Sequence, residues 1–214
     1  GQPYWSVPVN HSRPACKPPA NGRPSATDMR MIVSLFRRST QNANRLIVDA
    51  LLDSIVAAAR QPAIYAEWGV PDTPLGRYES LGLHMIVFLR RTRAADASVE
   101  ALAQDVLDEF FKDVDHSIRE LGIGDAGVPK RMKKLARMFY GRMGPYWDAI
   151  DAGDEALLAE ALARNIAPEG GEGAALDAHA LAGYAMKAAD ELARHDDAAL
   201  LSGRIAFPGA GAPA

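Results

Sequence analysis

From residue 40 to residue 201, apolar positions recur three and four apart. No five-residue stretch alternates at period two with β-branched content, so the pattern predicts helices and no strands. Leu46, Ile47, Leu51, Ile55 and Val56 form one stripe, with Thr40 as its expected cap and Gln61-Pro62 as its end. Pro62 can open a short helix through Ile64, Tyr65 and Trp68, stopped by Gly69. The two prolines of Gly69–Pro74 predict an irregular loop. Asp72 or Thr73 then caps a helix with Pro74 in its first turn, carrying Tyr78, Leu81, Met85 and Leu89. Its cations, Arg91 and Arg93, fall at the C-terminal end, where the helix dipole favours them. The most regular stripe starts at Ser98: Val99, Leu102, Val106, Phe110, Val114, Ile118 and Leu121, with Gly122 as the stop.

Asp125 or Gly127 should start the next helix, with Val128, Met132, Leu135, Phe139 and Met143 on one side. Gly144-Pro145 is expected to interrupt it before Tyr146, Trp147 and Ile150 continue. Asp154 caps a helix to about Asn165. Pro168–Gly173 reads as a glycine-rich loop, Leu176–Arg194 as a long helix, and a short helix follows Asp196. No repeat recurs at a fixed spacing. The expected fold class is all-α, a single helical domain of about six to eight helices spanning residues 39–207.

The ends read differently. Residues 1–27 hold six of the 14 prolines, three basic residues and no Asp or Glu. That stretch cannot bury enough apolar surface to offset its ordering entropy, so residues 1–30 are expected to form a disordered leader. It reads as a cloning remnant or as sequence upstream of a start at Met29 or Met31. Residues 208–214 are expected to form a flexible tail. Composition agrees with helix: 39 of the 214 residues are Ala and only 7% are aromatic. No window approaches 18 uninterrupted apolar residues, which excludes a membrane-spanning helix at this level. A net charge of −3 gives no general argument for nucleic acid, and DNA is not an expected partner. The single cysteine, Cys16, excludes an internal disulfide framework.

Catalytic and cofactor motifs do not gain support. Gly122-Ile123-Gly124-Asp125-Ala126-Gly127 fits G-x-G-x-x-G, but the dinucleotide turn must join strand to helix, and here a long helix precedes it. It is therefore read as a helix stop and interhelical turn. Asp113/His116 and Glu191/His195 have helical spacing, yet no Glu-x-x-His pair exists, since Leu stands three before His84, His179 and His195. They are read as surface polar pairs, and His84, in an apolar stretch, as a packed histidine. No Gly-x-Ser-x-Gly elbow and no Walker lysine loop are present. The expectation is a protein that is not an enzyme, with no cofactor, metal or catalytic residue.

Two charge features stand out. Lys130, Lys133, Lys134 and Arg137 fall at i, i+3, i+4 and i+7, which puts four cations on one helix face, with Arg131 and Arg142 extending the patch. Such a face can meet anionic lipid, RNA or an acidic partner. From Asp151 to Asp197 there are 11 acidic and three basic residues. Those acids either neutralise the basic face within the fold or form a second patch. Asp108, Asp113, Asp115, Arg119 and Glu120 add a charged stripe opposite an apolar one, with Asp115–Arg119 as an i,i+4 pair.

Three stretches resemble the ubiquinol–cytochrome c chaperones, assembly factors of the cytochrome bc1 complex. They are Tyr65–His84 (YAEWGVPDTPLGRYESLGLH), Leu102–Asp125 (LAQDVLDEFFKDVDHSIRELGIGD) and Val128–Tyr146 (VPKRMKKLARMFYGRMGPY). The resemblance covers about residues 39–166. It implies an α-helical, non-catalytic protein that binds newly made cytochrome b, with a ribosome or a small partner protein as further candidates. It assigns no residue individually to client contact. The residues themselves suggest Lys130, Arg131, Lys133, Lys134, Arg137 and Arg142 for an anionic membrane surface or partner, and Asp72, Arg77, Glu79, Asp108 and Asp115 for the client. Met85, Met132, Met138 and Met143 could offer adaptable client surface, though most are expected in the core. The Ala- and Arg-rich composition suggests a bacterial relative, for which the resemblance implies a cytoplasmic protein peripheral on the inner face of the inner membrane. A eukaryotic one would lie on the matrix side. The competing readings are a ribosome- or RNA-binding adaptor using the basic face, and a carrier of a small hydrophobic ligand.

Overall fold

The computed structural model describes residues 26–122, 124–166 and 175–211, with side chains from residue 43 onward. Among them are eight helices and no strand. They are α1 (Ala26–Ala59), α2 (Pro62–Ala66), α3 (Pro74–Thr92), α4 (Ala97–Glu120), α5 (Val128–Asp151), α6 (Glu155–Ile166), α7 (Ala178–Arg194) and α8 (Asp197–Leu201). Two units divide the chain, residues 1–40 and 41–214. The first contributes only helical backbone to the described residues; the second holds the core.

Most expected boundaries hold within two residues. Two differ for clear reasons. Thr40 does not start α1, which begins at Ala26. Residues 26–40 contain neither Pro nor Gly, so nothing stops the helix from extending upstream past a threonine that a helix interior tolerates. The expected leader thus overlaps α1 over residues 26–30, while residues 1–25, including Cys16, and the loop expected at 168–173 lie outside the described residues. The second difference is α5, which runs unbroken through Gly144-Pro145. Proline there removes one hydrogen bond, to the carbonyl of Gly141. Gly141 is exposed, so water can serve that carbonyl, and the buried Tyr146, Ala149 and Ile150 hold the last turns onto the core.

The central element is α3. Thirteen of its 19 residues are buried, from Gly76 to Thr92. It packs against α4, α5, α6 and α7, which explains why its sequence is apolar on nearly every side from Leu83 to Leu89. The buried face of α7 is mostly alanine (Ala182, Ala185, Ala188 and Ala189), and small side chains allow close approach to α3 and α6. Three of the four methionines lie as expected: Met85 is fully buried, and Met132 and Met143 pack against the core. At the C-terminal end of α3, Asp151 of α5 pairs with Arg90 and Arg93, and Asp197 of α8 pairs with Arg91. Arg93 also lies over the Trp147 ring, 5.2 Å from its centroid. These acids of the C-terminal region therefore neutralise α3 and not the basic row of α5.

The loop before α3 is held in two ways. Thr73 Oγ1 accepts from the Gly76 N–H at 3.1 Å, capping the helix. A Cβ on Gly76 would stand 1.9 Å from the Pro71 carbonyl oxygen. That oxygen is backbone in a proline-stiffened loop, so it cannot simply rotate away. Gly76→Ala is expected to cost about 2 kcal/mol, read as a lower urea midpoint with unchanged m. An unchanged midpoint would show that the loop yields freely. At the other end, residues 208–211 do not simply trail: Gln61 bonds both the Pro208 carbonyl and the Ala210 N–H.

Candidate functional site

The first turns of α5 carry the basic row. Val128 and Phe139 are buried and Met132 and Leu135 pack on the core, which turns Lys130, Arg131, Lys133, Lys134 and Arg137 to solvent. All five are exposed, and none forms an ion pair among the described residues. The row continues into Tyr140, which stands three residues after Arg137 and is 54% exposed. Its ring stacks on Phe111 of α4 with centroids 6.0 Å apart, and meets Phe139 edge-on at 5.4 Å.

Phe111 belongs to an open groove with Asp108, Lys112 and Asp115. A neighbouring groove joins α1 and α4 and is lined by Asn44, Arg45, Asp49, Asp105, Asp108 and Glu109, among others. Asn44 Nδ2 donates to Asp105 Oδ2 at 2.8 Å. On the same helix, partial burial, and then the nearby Glu109, raise the Asp113 carboxyl above its usual range. The outer surface of α4 is thus mainly acidic and the outer face of α5 basic, with the aromatic pair Phe111–Tyr140 where the helices meet. A partner can find there an apolar platform, a cationic row for anions and carboxylates for cations.

Several expected site residues are already engaged. Asp115 is bonded to Arg119 at 2.7 Å, and Arg119 reaches Asp125 at 2.6 Å, tying the end of α4 to the turn beyond it. Asp108 accepts from Gln104 Nε2 at 2.7 Å. Asp72 and Arg77 are exposed and paired with each other at 2.6 Å; that bond holds the Asp72 carboxyl below its usual range. Gly122–Gly127 follows a helix and precedes another. Gly122 has φ +77 and donates to the Arg119 carbonyl, and the Gly127 N–H donates to Gly124. His116 faces Glu120 at 3.2 Å, while Glu191 pairs with Arg194.

Two expectations are corrected. Arg142 does not extend the basic patch, and Glu79 is not a client contact. They are each other's partners inside the fold, Arg142 Nη2 to Glu79 Oε1 at 2.8 Å, with side chains 11% and 4% exposed. Arg142 stands three after Phe139 and four before Tyr146, both buried, which puts it on the core face of α5. Glu79 is buried because neighbours surround α3. Burial pushes its carboxyl up to about 7, against the pull of the Arg142 charge. The pair is close but poorly aligned: neither Glu79 Oε1 nor Arg142 Nε makes a well-directed hydrogen bond.

A second buried network also escaped the sequence patterns. His84 is buried, with Nδ1 2.7 Å from the Ser80 carbonyl and Nε2 2.9 Å from the Tyr184 hydroxyl. A carbonyl only accepts, so Nδ1 carries the proton and the Tyr184 hydroxyl donates to Nε2. Gln61 Nε2 then donates to the Tyr184 oxygen at 3.1 Å, and Ser80 Oγ donates to the Ala59 carbonyl at 2.9 Å. Burial lowers the imidazole to about 4. The unfolded chain therefore binds a proton here that the native one refuses. The neutral histidine's contribution is fully present above about pH 6.5 and falls towards pH 4, by up to about 1.4 kcal/mol per pH unit. Glu79, raised in the fold, acts in the opposite sense between about 4.5 and 7. In wild type the two slopes largely cancel between about pH 4.5 and 6.5, so His84→Phe is expected to leave a stability that rises as pH falls through that window, read in urea titrations at stepped pH; an unchanged pH profile would show that the imidazole does not titrate on unfolding.

No described helix is long and apolar enough to cross a membrane. The family model for ubiquinol-cytochrome C chaperone matches residues 66–207. No curated protein matches the chain. Among solved structures, the crystal structure of the Cbp3 homolog from Brucella abortus is similar at 53% identity. That match covers 83% of this chain and 96% of that one, with a TM-score of 0.73. The residues matched by the family model take in α3–α8, and with them the α4–α5 surface and positions 79 and 142. The chain belongs to the ubiquinol–cytochrome c chaperone family.

Proposed function

We propose that this chain is a non-enzymatic assembly chaperone of the cytochrome bc1 complex that binds newly made cytochrome b beside an anionic membrane surface. The observation that carries this reading is the α4–α5 surface: five exposed cations without an ion-pair partner among the described residues, beside an exposed aromatic pair and an acidic groove. The basic row of α5 fits the headgroups of anionic lipid. The aromatic pair Phe111–Tyr140 and the carboxylates Asp108 and Asp115 fit a client whose apolar segments are flanked by Lys and Arg, as the cytoplasmic ends of membrane helices are. The exposed pair Asp72–Arg77 is a secondary candidate for the same contact. A bacterial protein of this kind works on the inner face of the inner membrane, and a eukaryotic one on the matrix side. A small partner protein or the ribosome is compatible with the same surface.

The test is affinity isolation of the tagged protein from detergent-treated native membranes, with identification of what comes with it. Cytochrome b is expected, retained through a high-salt wash because an apolar contact survives salt. Recovery of ribosomal components alone, lost steeply with salt, would favour the RNA-binding reading of the basic row.

A further inference from the structure

Residues 204–211 follow α8 as an irregular segment, set off by Gly203 at φ +75. The segment lies against Gln61, Ala63 and His84, with Ile205, Phe207 and Ala210 partly buried on the core. Ala206 N–H donates to His195 Nε2 at 3.1 Å. The Phe207 ring sits 5.5 Å from the His84 ring, centroid to centroid. Gln61 Nε2 donates to the Pro208 carbonyl at 3.1 Å, and Gln61 Oε1 accepts from the Ala210 N–H. One side-chain amide therefore pairs with a C=O and an N–H two residues apart, as a neighbouring strand's backbone would. This recognition reads peptide backbone and not sequence. Sequence enters at the aromatic ring against His84, at Ile205 and Ala210, which pack on the core, and at Gly211, where a Cβ would come within 3.2 Å of Ala63 Cβ.

The walls do not need this segment to stay satisfied. Gln61 Nε2 has two hydrogens for three acceptors within reach, the Pro208 and Ala58 carbonyls and the Tyr184 oxygen, so two acceptors remain for it without the segment, and the Tyr184–His84–Ser80 chain is complete on its own. The groups left open, Gln61 Oε1 and His195 Nε2, belong to half-buried residues that water can reach. Departure thus orphans no deeply buried polar atom, which is the usual obstacle to exchange. We infer that these walls form a peptide groove which the chain fills with its own segment 204–211. A protein partner's extended segment, an aromatic residue followed by Pro and small residues, exchanges into it. The groove uses none of the residues of the α4–α5 surface, so it stands or falls separately from the client reading.

The experiment uses the full chain and a fluorescein-labelled peptide of residues 204–211 (RIAFPGAG), read by anisotropy. The tethered segment competes at an effective concentration in the millimolar range, so wild type is expected to bind weakly, and Phe207→Ala at least about tenfold more tightly. Adding Gln61→Ala to that variant, or replacing Phe in the peptide by Ala, should abolish binding. In wild type, hydrogen exchange at the Ala210 amide should proceed through an opening far more frequent than global unfolding. Three results overturn the inference. They are a folded Phe207→Ala that binds the peptide no better than wild type, a Phe207→Ala that fails to fold, and an Ala210 amide that exchanges only with global unfolding.

Discussion

Arg142→Ala is expected to cost about 3–5 kcal/mol at pH 8, because it leaves the Glu79 carboxylate buried with no counter-charge. The cost should shrink in acid. Without Arg142 the Glu79 carboxyl rises beyond the value of about 7 it has in the intact pair, while its unfolded value stays in the ordinary range. A group raised in the fold keeps its full contribution below the unfolded pKa and loses it as pH rises through the folded one. The cost should therefore shrink by about 1.4 kcal/mol per pH unit as pH falls from 8 to about 7, below which Glu79 protonates in wild type as well and the two proteins gain alike. Urea titrations at pH 5.5 and pH 8 check both parts. The joint replacement Glu79→Leu with Arg142→Met is expected to be near neutral or stabilising, since it removes both desolvation penalties together. A loss under about 1 kcal/mol for Arg142→Ala, the same at both pH values, would show that the pair does not sit in a low-dielectric interior.

Charge reversal on α5 should separate function from folding. Lys130→Glu, Lys133→Glu, Lys134→Glu and Arg137→Glu remove no apolar burial, because all four side chains are exposed. The i,i+4 pairs 130/134 and 133/137 are both cationic in wild type and both anionic in the variant, so a repulsion of about a few tenths of a kcal/mol each is exchanged and not added. Glu at position 130 lies in the first turn of α5, where the helix dipole favours an anion. The net change in stability should stay within about 1–2 kcal/mol. Binding to anionic vesicles should fall far more. At about 1 kcal/mol for each basic residue near such a surface, losing four weakens binding about a thousandfold, and reversal adds to that. Flotation with vesicles rich in anionic lipid, with melting temperatures measured in parallel, gives the comparison. A folded variant that floats as wild type does would leave the basic row as plain solvated surface. The Phe111–Tyr140 seam would then be the next place to look for the client.

The resemblance read from the three motif stretches and the family found by comparison agree, and the helical class was legible for a physical reason. The period of three and four that marks Val99 to Leu121, the cap at Thr73 with Pro74 after it, and the stop at Gly122 are each set by residues within a few positions of one another. The same local rule put Lys130, Lys133, Lys134 and Arg137 on one face, and their exposure in the fold agrees with it. Where local rules failed, a distant residue decided. Gly144-Pro145 reads as a break, yet α5 continues because Tyr146 and Ile150 are packed into a core that the sequence does not display. Arg142 reads as one more cation of the row, but Glu79 lies across from it on α3. Gln61 reads only as the residue before a proline, and its amide spans Tyr184 and the segment 208–210. Helix type and solvent-facing charge followed from spacing, because periodicity is a property of one helix. Which charges are buried, and which polar groups they meet, was decided only by tertiary structure, because a side chain's partner lies on another helix and the cost of burial depends on whether that partner is present.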